Sequence, residues 1–160
     1  MRLGIVSDTH GRLESTRQAI VMLESLDVDE VLHCGDVGCV EVMDLFRRWP
    51  CHFVAGNCDY DHSLLRLGAE ALGMHWHGEF GELERAGKRI ALLHSHDQQR
   101  FRDVVTSGAW DLVCYGHTHV AASDQHGPTL VLNPGALHRA NPYSLAIVDL
   151  PELTAHHVTL

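Results

Sequence analysis

The stretch Val31-Leu32-His33-Cys34-Gly35-Asp36 decides how the rest of the chain is read: a short apolar run closes on a glycine and a carboxylate. Four other runs end in a similar way. Leu3-Gly4-Ile5-Val6 leads into Ser7-Asp8-Thr9-His10, and Phe53-Val54-Ala55 into Gly56-Asn57-Cys58-Asp59. Ile90-Ala91-Leu92-Leu93 leads into His94-Ser95-His96-Asp97, and Leu112-Val113-Cys114-Tyr115 into Gly116-His117-Thr118-His119. Short apolar runs bounded by glycine and polar residues fit buried strands. Each run delivers Asp, Asn or His at its C-terminal end, the edge at which open α/β sheets bind ligands. Five such ends predict one polynuclear metal site, with Asp36 near its middle.

Outward from these runs, residues 2–7, 30–35 and 51–56 read as strands, with helices over 12–26 and 39–48 between them. A βαβαβ order predicts a parallel sheet with right-handed crossovers. A third helix is expected over 62–72. The pattern then changes: 74–77 and 80–86 alternate, and Ala86-Gly87-Lys88 reads as a hairpin turn into a strand at 89–94. A helix over 97–107 follows, then strands at 111–115, 129–133, 143–149 and 154–159. With βαβ units first and mostly strands later, the α/β chain fits two packed sheets flanked by helices better than one doubly wound sheet. Residues 1–160 are read as a single domain, since this length buries a substantial core.

Composition narrows the function classes. The hydrophobic share is 45%, ordinary for a water-soluble domain, and no apolar run approaches the roughly 20 residues of a membrane span. Asp8 comes too early for a signal-peptide core, so a cytoplasmic protein is expected, without a membrane partner. Twelve basic against 21 acidic residues give a net charge of −9, which argues against binding long nucleic acid. The five cysteines are an odd number and form no Cys-x-x-Cys; they read as free thiols in a reducing compartment, with Cys34, Cys51 and Cys114 in or beside strands.

The candidate ligands have a common chemistry. Asp8 and His10 lie two apart in a turn and can face one point. Asp36 follows a glycine, and its two oxygens can bind two cations. Asn57 offers a carbonyl oxygen, and His94, His117 and His119 offer imidazole nitrogens. Nitrogen and oxygen donors without thiolate suit Mn, Fe, Ni, Co or Zn, and do not choose among them. Ser95 stands beside two histidines, but no nucleophile-elbow motif surrounds it.

The set Asp8-x-His10, Gly35-Asp36, Gly56-Asn57-x-Asp59, His94 and Gly116-His117-x-His119 resembles the calcineurin-like metallophosphoesterases. Ser7-Asp8-Thr9-His10-Gly11, Tyr115-Gly116-His117-Thr118-His119 and Asn133-Pro134-Gly135 look like their small single-domain bacterial and archaeal phosphodiesterase branch. The resemblance implies an α/β/β/α sandwich of two mixed sheets. It implies two divalent ions, manganese being the first choice: one held by Asp8, His10, Asp36 and His119, the other by Asp36, Asn57, His94 and His117. It implies a phosphoesterase acting on a small phosphate ester, a phosphodiester first and a phosphomonoester or nucleotide second. The nucleophile would be a hydroxide held between two cations roughly 3.5–4 Å apart, attacking phosphorus in line. The same fold also serves as a non-catalytic scaffold when its ligands are degraded; here all seven positions are filled.

One position departs from the wider family, which commonly reads Gly-Asn-His-Asp with the His as proton donor to the leaving oxygen. Here Cys58 stands in that place. A thiol fits the role less well than imidazole near neutral pH, so good leaving groups are expected to react best, or His96 to supply the proton. Asp59 is expected to orient a ligand. Arg12 and Arg139 are candidates to meet phosphate. His75 and His77 share a face; they are weighed as an accessory metal pair and read in preference as exposed or packing histidines. His33 is expected in the core, and His138, His156 and His157 on the surface. Substrate selectivity is expected from residues about 60–80 and 95–103.

Overall fold

The computed structural model describes residues 1–160. The first five runs along the chain alternate as expected: β1 (Arg2–Val6), α1 (Leu13–Ser25), β2 (Glu30–His33), α2 (Val40–Leu45) and β3 (Cys51–Phe53). After α3 (His62–Ala71) come β4 (His75–Trp76), β5 (Phe80–Arg85), β6 (Lys88–Leu93), α4 (Gln98–Thr106), β7 (Leu112–Tyr115), β8 (Ala122–His126), β9 (Thr129–Asn133), β10 (Ser144–Asp149) and β11 (Thr154–Thr159). They form a six-stranded sheet, β11-β10-β1-β2-β3-β4, and a five-stranded sheet, β5-β6-β7-β9-β8. Both are mixed. β1 to β4 run parallel while β10 lies antiparallel to β1. β6, β7 and β9 run parallel between antiparallel edges.

The layers follow from the period-2 alternation of strand side chains. Leu3 and Ile5 face inward and meet Ile90, Leu92, Leu112 and Leu132 of the second sheet in a core between the sheets. Val6, Val31 and Phe53 face outward, where Ala19 and Leu23 of α1, Val42 and Met43 of α2, and Leu65 and Ala69 of α3 cover them. On the far side, Ala91, Leu93 and Val113 face Phe101, Val104 and Val105 of α4. The result is the α/β/β/α sandwich. Helix α4 has no fully buried residue; Asp97 starts it by accepting from Gln99 N and Arg100 N, both at 3.0 Å, as an N-cap does.

Several boundaries differ from expectation for physical reasons. The helix expected over 39–48 is helical only over Val40–Leu45 and ends in turns before Pro50. The strand expected over 51–56 is regular only over Cys51–Phe53; Val54 N still bonds His33 O at 3.2 Å and Ala55 N bonds Gly78 O at 2.6 Å before the chain turns at Asn57. Residues 75–76 join the first sheet, beside β3, rather than the hairpin that follows. That hairpin does turn at Ala86-Gly87, whose φ values of 49° and 73° match the turn that suits strand twist. β8 was not expected at all: Ala-Ser-Asp-Gln-His has no apolar alternation, and it is a strand because its backbone pairs with β9 at a sheet edge.

Candidate metal centre

The loops after β1, β2, β3, β6 and β7 converge on one edge. Backbone bonds lash the first two together: Asp8 N donates to Gly35 O at 3.0 Å and His10 N to Asp36 O at 2.8 Å. Tight turning is paid in backbone strain. Asp8, His10, Asp36, His117 and His119 all lie at positive φ, between 45° and 79°, a region that costs a non-glycine residue about 1–2 kcal/mol. Such strain persists where surrounding structure over-determines it, and it clusters at functional sites. Two glycines permit the close approach. A Cβ on Gly35, itself at φ 97°, would lie 2.6 Å from His94 Nδ1, and one on Gly56 would collide with the Asp36 carboxylate.

The structure brings most of the expected ligands together. His119 Nε2 lies 3.1 Å and His10 Nε2 3.7 Å from Asp8 Oδ1. His10 Nε2 is 3.4 Å and His94 Nε2 3.2 Å from Asp36 Oδ2, and His94 Nε2 is 3.9 Å from Asp8 Oδ1. Asp8, His10 and His119 thus form one group of donors, and Asp8, Asp36 and His94 another. His117 flanks the second group: its ring centre is 5.2 Å from that of His94, and its backbone N–H donates to Asp8 Oδ2 at 3.1 Å. Asn57 sits at the exposed rim, where its Nδ2 meets the Cys58 sulfur at 3.5 Å.

Three atoms in this cluster, Asp8 Oδ1, His10 Nε2 and His94 Nε2, are buried and have no hydrogen-bond partner. An unmet buried polar atom costs about 1–3 kcal/mol, so three on one edge need partners. Divalent cations meet them, one beside His10 and one beside His94 with Asp8 common to both groups, and nitrogen and oxygen donors suit such ions. His94 is also set for that role: its Nδ1 faces the Cys34 carbonyl at 2.8 Å, which fixes the proton there and leaves Nε2 as the free donor. Burial works against charge on His94, yet the Asp36 and Asp8 carboxylates raise its pKa. Burial likewise opposes the Asp36 and Asp8 anions, and the neighbouring imidazoles outweigh it, holding both carboxyls below their ordinary value.

The surrounding residues hold the loops. Asp59 is buried, and its carboxylate accepts from Val37 N at 3.1 Å, Gly38 N at 2.8 Å and Gly56 N at 2.9 Å. It therefore staples the Asp36 loop to the Asn57 loop. Cys58 N donates to Asp36 Oδ1 at 2.8 Å, and the thiol lies beside His10 and Asp36. Burial, then the nearby carboxylates, raise the Cys58 pKa, so the group is a neutral thiol. His96 is exposed, with its ring 5.7 Å from His94 and 6.4 Å from His117. Ser95 Oγ donates to the Gly116 carbonyl at 2.9 Å, so it serves the loop that carries His117.

Other histidines correct or fill in the sequence reading. His33 is fully buried, with Nε2 2.9 Å from Thr9 Oγ1, and burial lowers its pKa to about 3. His75 and His77 do not gather as ligands: His77 Nε2 is bonded to His52 Nδ1 at 2.8 Å, and His75 lies flat on the His52 ring at 4.4 Å. His138, assigned to the surface, is half-buried with its ring 5.0 Å from that of His10. His157 is exposed, yet its Nε2 meets the Asn133 carbonyl at 2.7 Å. Asn133 in turn donates to Gly116 O at 3.3 Å and Thr118 Oγ1 at 3.1 Å, bracing the loop of His117 and His119. The Asn-Pro-Gly motif was the available signal for Asn133; His138 had none, because its contact with His10 spans most of the chain.

Known proteins share this architecture. A family model described as the calcineurin-like phosphoesterase superfamily domain matches residues 1–152. The chain is 31% identical over 138 residues to phosphodiesterase MJ0936 of Methanocaldococcus jannaschii, covering 84% of this chain and 83% of that protein. It is 32% identical over 146 residues to the probable metallophosphoesterase YsnB of Bacillus subtilis, covering 86% of this chain and 75% of that one. A solved archaeal phosphodiesterase superposes over 100% of both chains with a TM-score of 0.92 at 27% identity. Vps29 of Entamoeba histolytica, solved with zinc, shares the fold with a TM-score of 0.72 at 18% identity over 99% of each chain. The chain belongs to the calcineurin-like phosphoesterase superfamily.

Proposed function

We propose that the chain is a phosphodiesterase for small phosphate esters, working as one unit over residues 1–160. Family membership makes it a metal-dependent phosphoesterase; the preference for diesters rests on its relatives, MJ0936 and the archaeal enzyme, being phosphodiesterases by name. The observation that carries the metal-dependent reading is the convergence of Asp8 Oδ1, His10 Nε2 and His94 Nε2, buried and unpartnered.

In this reading Asp8, His10, Asp36 and His119 hold one divalent ion, and Asp36, Asn57, His94 and His117 the other, with manganese the first choice. Two such ions supply, when bound, a water-derived nucleophile at neutral pH and a clamp for phosphate oxygens. The protein's part is to hold this donor set rigid. Asp59 fixes two of the loops and Asn133 a third. Cys58 stands where imidazole would protonate the leaving oxygen, and its thiol is a weak acid there. Esters with good leaving groups therefore react fastest, and His96 is the sequence-adjacent imidazole at the rim. We also place the protein in the cytoplasm: its five cysteines are free, as a reducing compartment keeps them. No helix is long and apolar enough to cross a membrane.

The test is hydrolysis of p-nitrophenyl phosphate and bis-p-nitrophenyl phosphate by metal-stripped protein, with and without Mn²⁺. Diester turnover restored well beyond monoester turnover supports the proposal. A monoester preference makes the protein a phosphomonoesterase. A folded protein inert with every transition metal tried belongs with the scaffolds.

A further inference from the structure

A cavity of about 630 Å³ opens beside the metal centre, on the side of His10. Gly11, the residue after His10, and His138, whose ring lies 5.0 Å from that of His10, are among its lining residues. The volume suits a small organic ligand. It is not lined by residues 60–80 or 95–103, where selectivity was expected. Its other walls come from the start of α1 and from Tyr143.

The walls are fixed in place. Ser15 Oγ, on α1, donates to the Leu137 carbonyl at 2.6 Å, and Leu137 N donates to Ser7 O at 3.3 Å. Ser144 Oγ holds the Pro134 carbonyl at 2.8 Å. Helix, loop 133–139 and strand β10 are thus tied together, and the space between them is preorganised. Its lining is mostly polar: Arg12, Glu14, Gln18 and His138 line it together with the ring of Tyr143. Glu14 and Gln18 are one helical turn apart and so share a face of α1.

We propose that this cavity is the specificity subsite for the alcohol carried by the scissile phosphate, and that the alcohol is a nucleoside. The proposal rests on the phosphodiesterase reading above. The polar lining disfavours a long-chain alkyl alcohol. Glu14 and Gln18 offer a carboxylate and an amide to sugar hydroxyls and base edges, Tyr143 an aromatic ring on which a base can stack, and Arg12 a cation for phosphate. The volume exceeds what glycerol or a simple alkyl alcohol would fill. The net charge of −9 favours a single nucleoside ester over a nucleic-acid chain.

The test compares two substrates that release the same p-nitrophenolate from the Mn²⁺-loaded protein: thymidine 5′-p-nitrophenyl phosphate and bis-p-nitrophenyl phosphate. The paired substitution Glu14→Ala and Gln18→Ala lies at exposed positions outside the metal centre. It is expected to lower kcat/KM for the thymidine ester roughly tenfold, from the usual worth of one or two hydrogen bonds, and to leave the bis-aryl ester within about twofold. Binding of thymidine 5′-phosphate, followed by calorimetry, should weaken by a similar factor. Equal loss on both substrates, or no loss on either, overturns the subsite. If the unsubstituted protein turns over neither ester, the phosphodiesterase reading fails on its own. Calorimetry then decides the cavity: nucleotide binding that the paired substitution weakens supports it, and no binding overturns it.

Discussion

Two clusters of carboxylate and imidazole lie in this molecule, and they are built on opposite principles. At the metal centre, Asp8, Asp36, His10, His94 and His119 sit on strained loops with three donor atoms unmet. Away from that centre, Glu30 on β2, His52 on β3, His77 after β4 and Arg85 on β5 sit on or beside strands with their bonds made. His52 Nε2 lies 2.7 Å from Glu30 Oε1, Arg85 Nε 2.8 Å from Glu30 Oε2, and His77 Nε2 2.8 Å from His52 Nδ1. This second cluster ties an edge strand of one sheet, through Arg85 on β5, to the other sheet. Residue type alone does not distinguish a binding site from a structural tie. Unmet donors and backbone strain do.

The contrast is broken most severely at Asp36. Asp36→Asn keeps an oxygen for Cys58 N but removes the anion that both ions share in the proposed assignment. Metal-dependent turnover should fall at least ~10³-fold, about 4 kcal/mol of transition-state stabilisation. The melting temperature of the metal-free protein should barely move, while the rise that Mn²⁺ gives the unsubstituted protein should vanish. A metal-free protein that unfolds on this change would make the centre structural.

The reciprocal change is Glu30→Ala. It leaves Arg85 and His52 without their partner and should cost about 3 kcal/mol in urea unfolding, the scale for breaking a buried pair from one side. Metal affinity, measured by titration of the folded protein, should stay within about twofold. Loss of metal binding would mean that the two clusters are coupled through the strands.

Acid should separate them further. Burial opposes the Glu30 anion, but His52 and Arg85 hold its pKa at about 2, while burial pushes His77 down to about 4. Both folded values lie below the unfolded ones. The unfolded chain therefore binds the extra protons, and stability falls as pH falls: from about 6.5 toward 4 for His77, and from about 4.5 toward 2 for Glu30. His94 runs the other way, because its raised value adds stability that is lost as pH climbs through it. The His77 part is isolated by comparing urea midpoints of the unsubstituted protein and His77→Gln between pH 7 and 4. The difference should shrink by about 1 kcal/mol, reduced from the full shift because the ring is partly exposed. A constant difference would remove His77 from the acid response.

The smallest effect belongs to Cys58→His. Restoring imidazole should raise turnover of alkyl esters about threefold relative to aryl esters, well short of the roughly 10²–10⁴-fold of a fully positioned general acid. An unchanged ratio would assign proton delivery elsewhere.

The sequence by itself determined the sandwich and gathered the ligands onto one edge. Short continuous apolar runs mark strands buried on both faces, and a glycine, Asp or His after each run is local turn chemistry that survives any packing. Asp8, His10, Asp36, His94 and His119 were legible for that reason. Only the tertiary structure decided what lies beside them. β8 is a strand because β9 offers it a backbone edge, not because of its own residues. His52 and His77 are partners because β3 and β4 lie side by side. His138 and Tyr143 wall a cavity against α1 because loop 133–139 is tied down by Ser7, Ser15 and Ser144. Such contacts join residues far apart in the chain, and no local period records them.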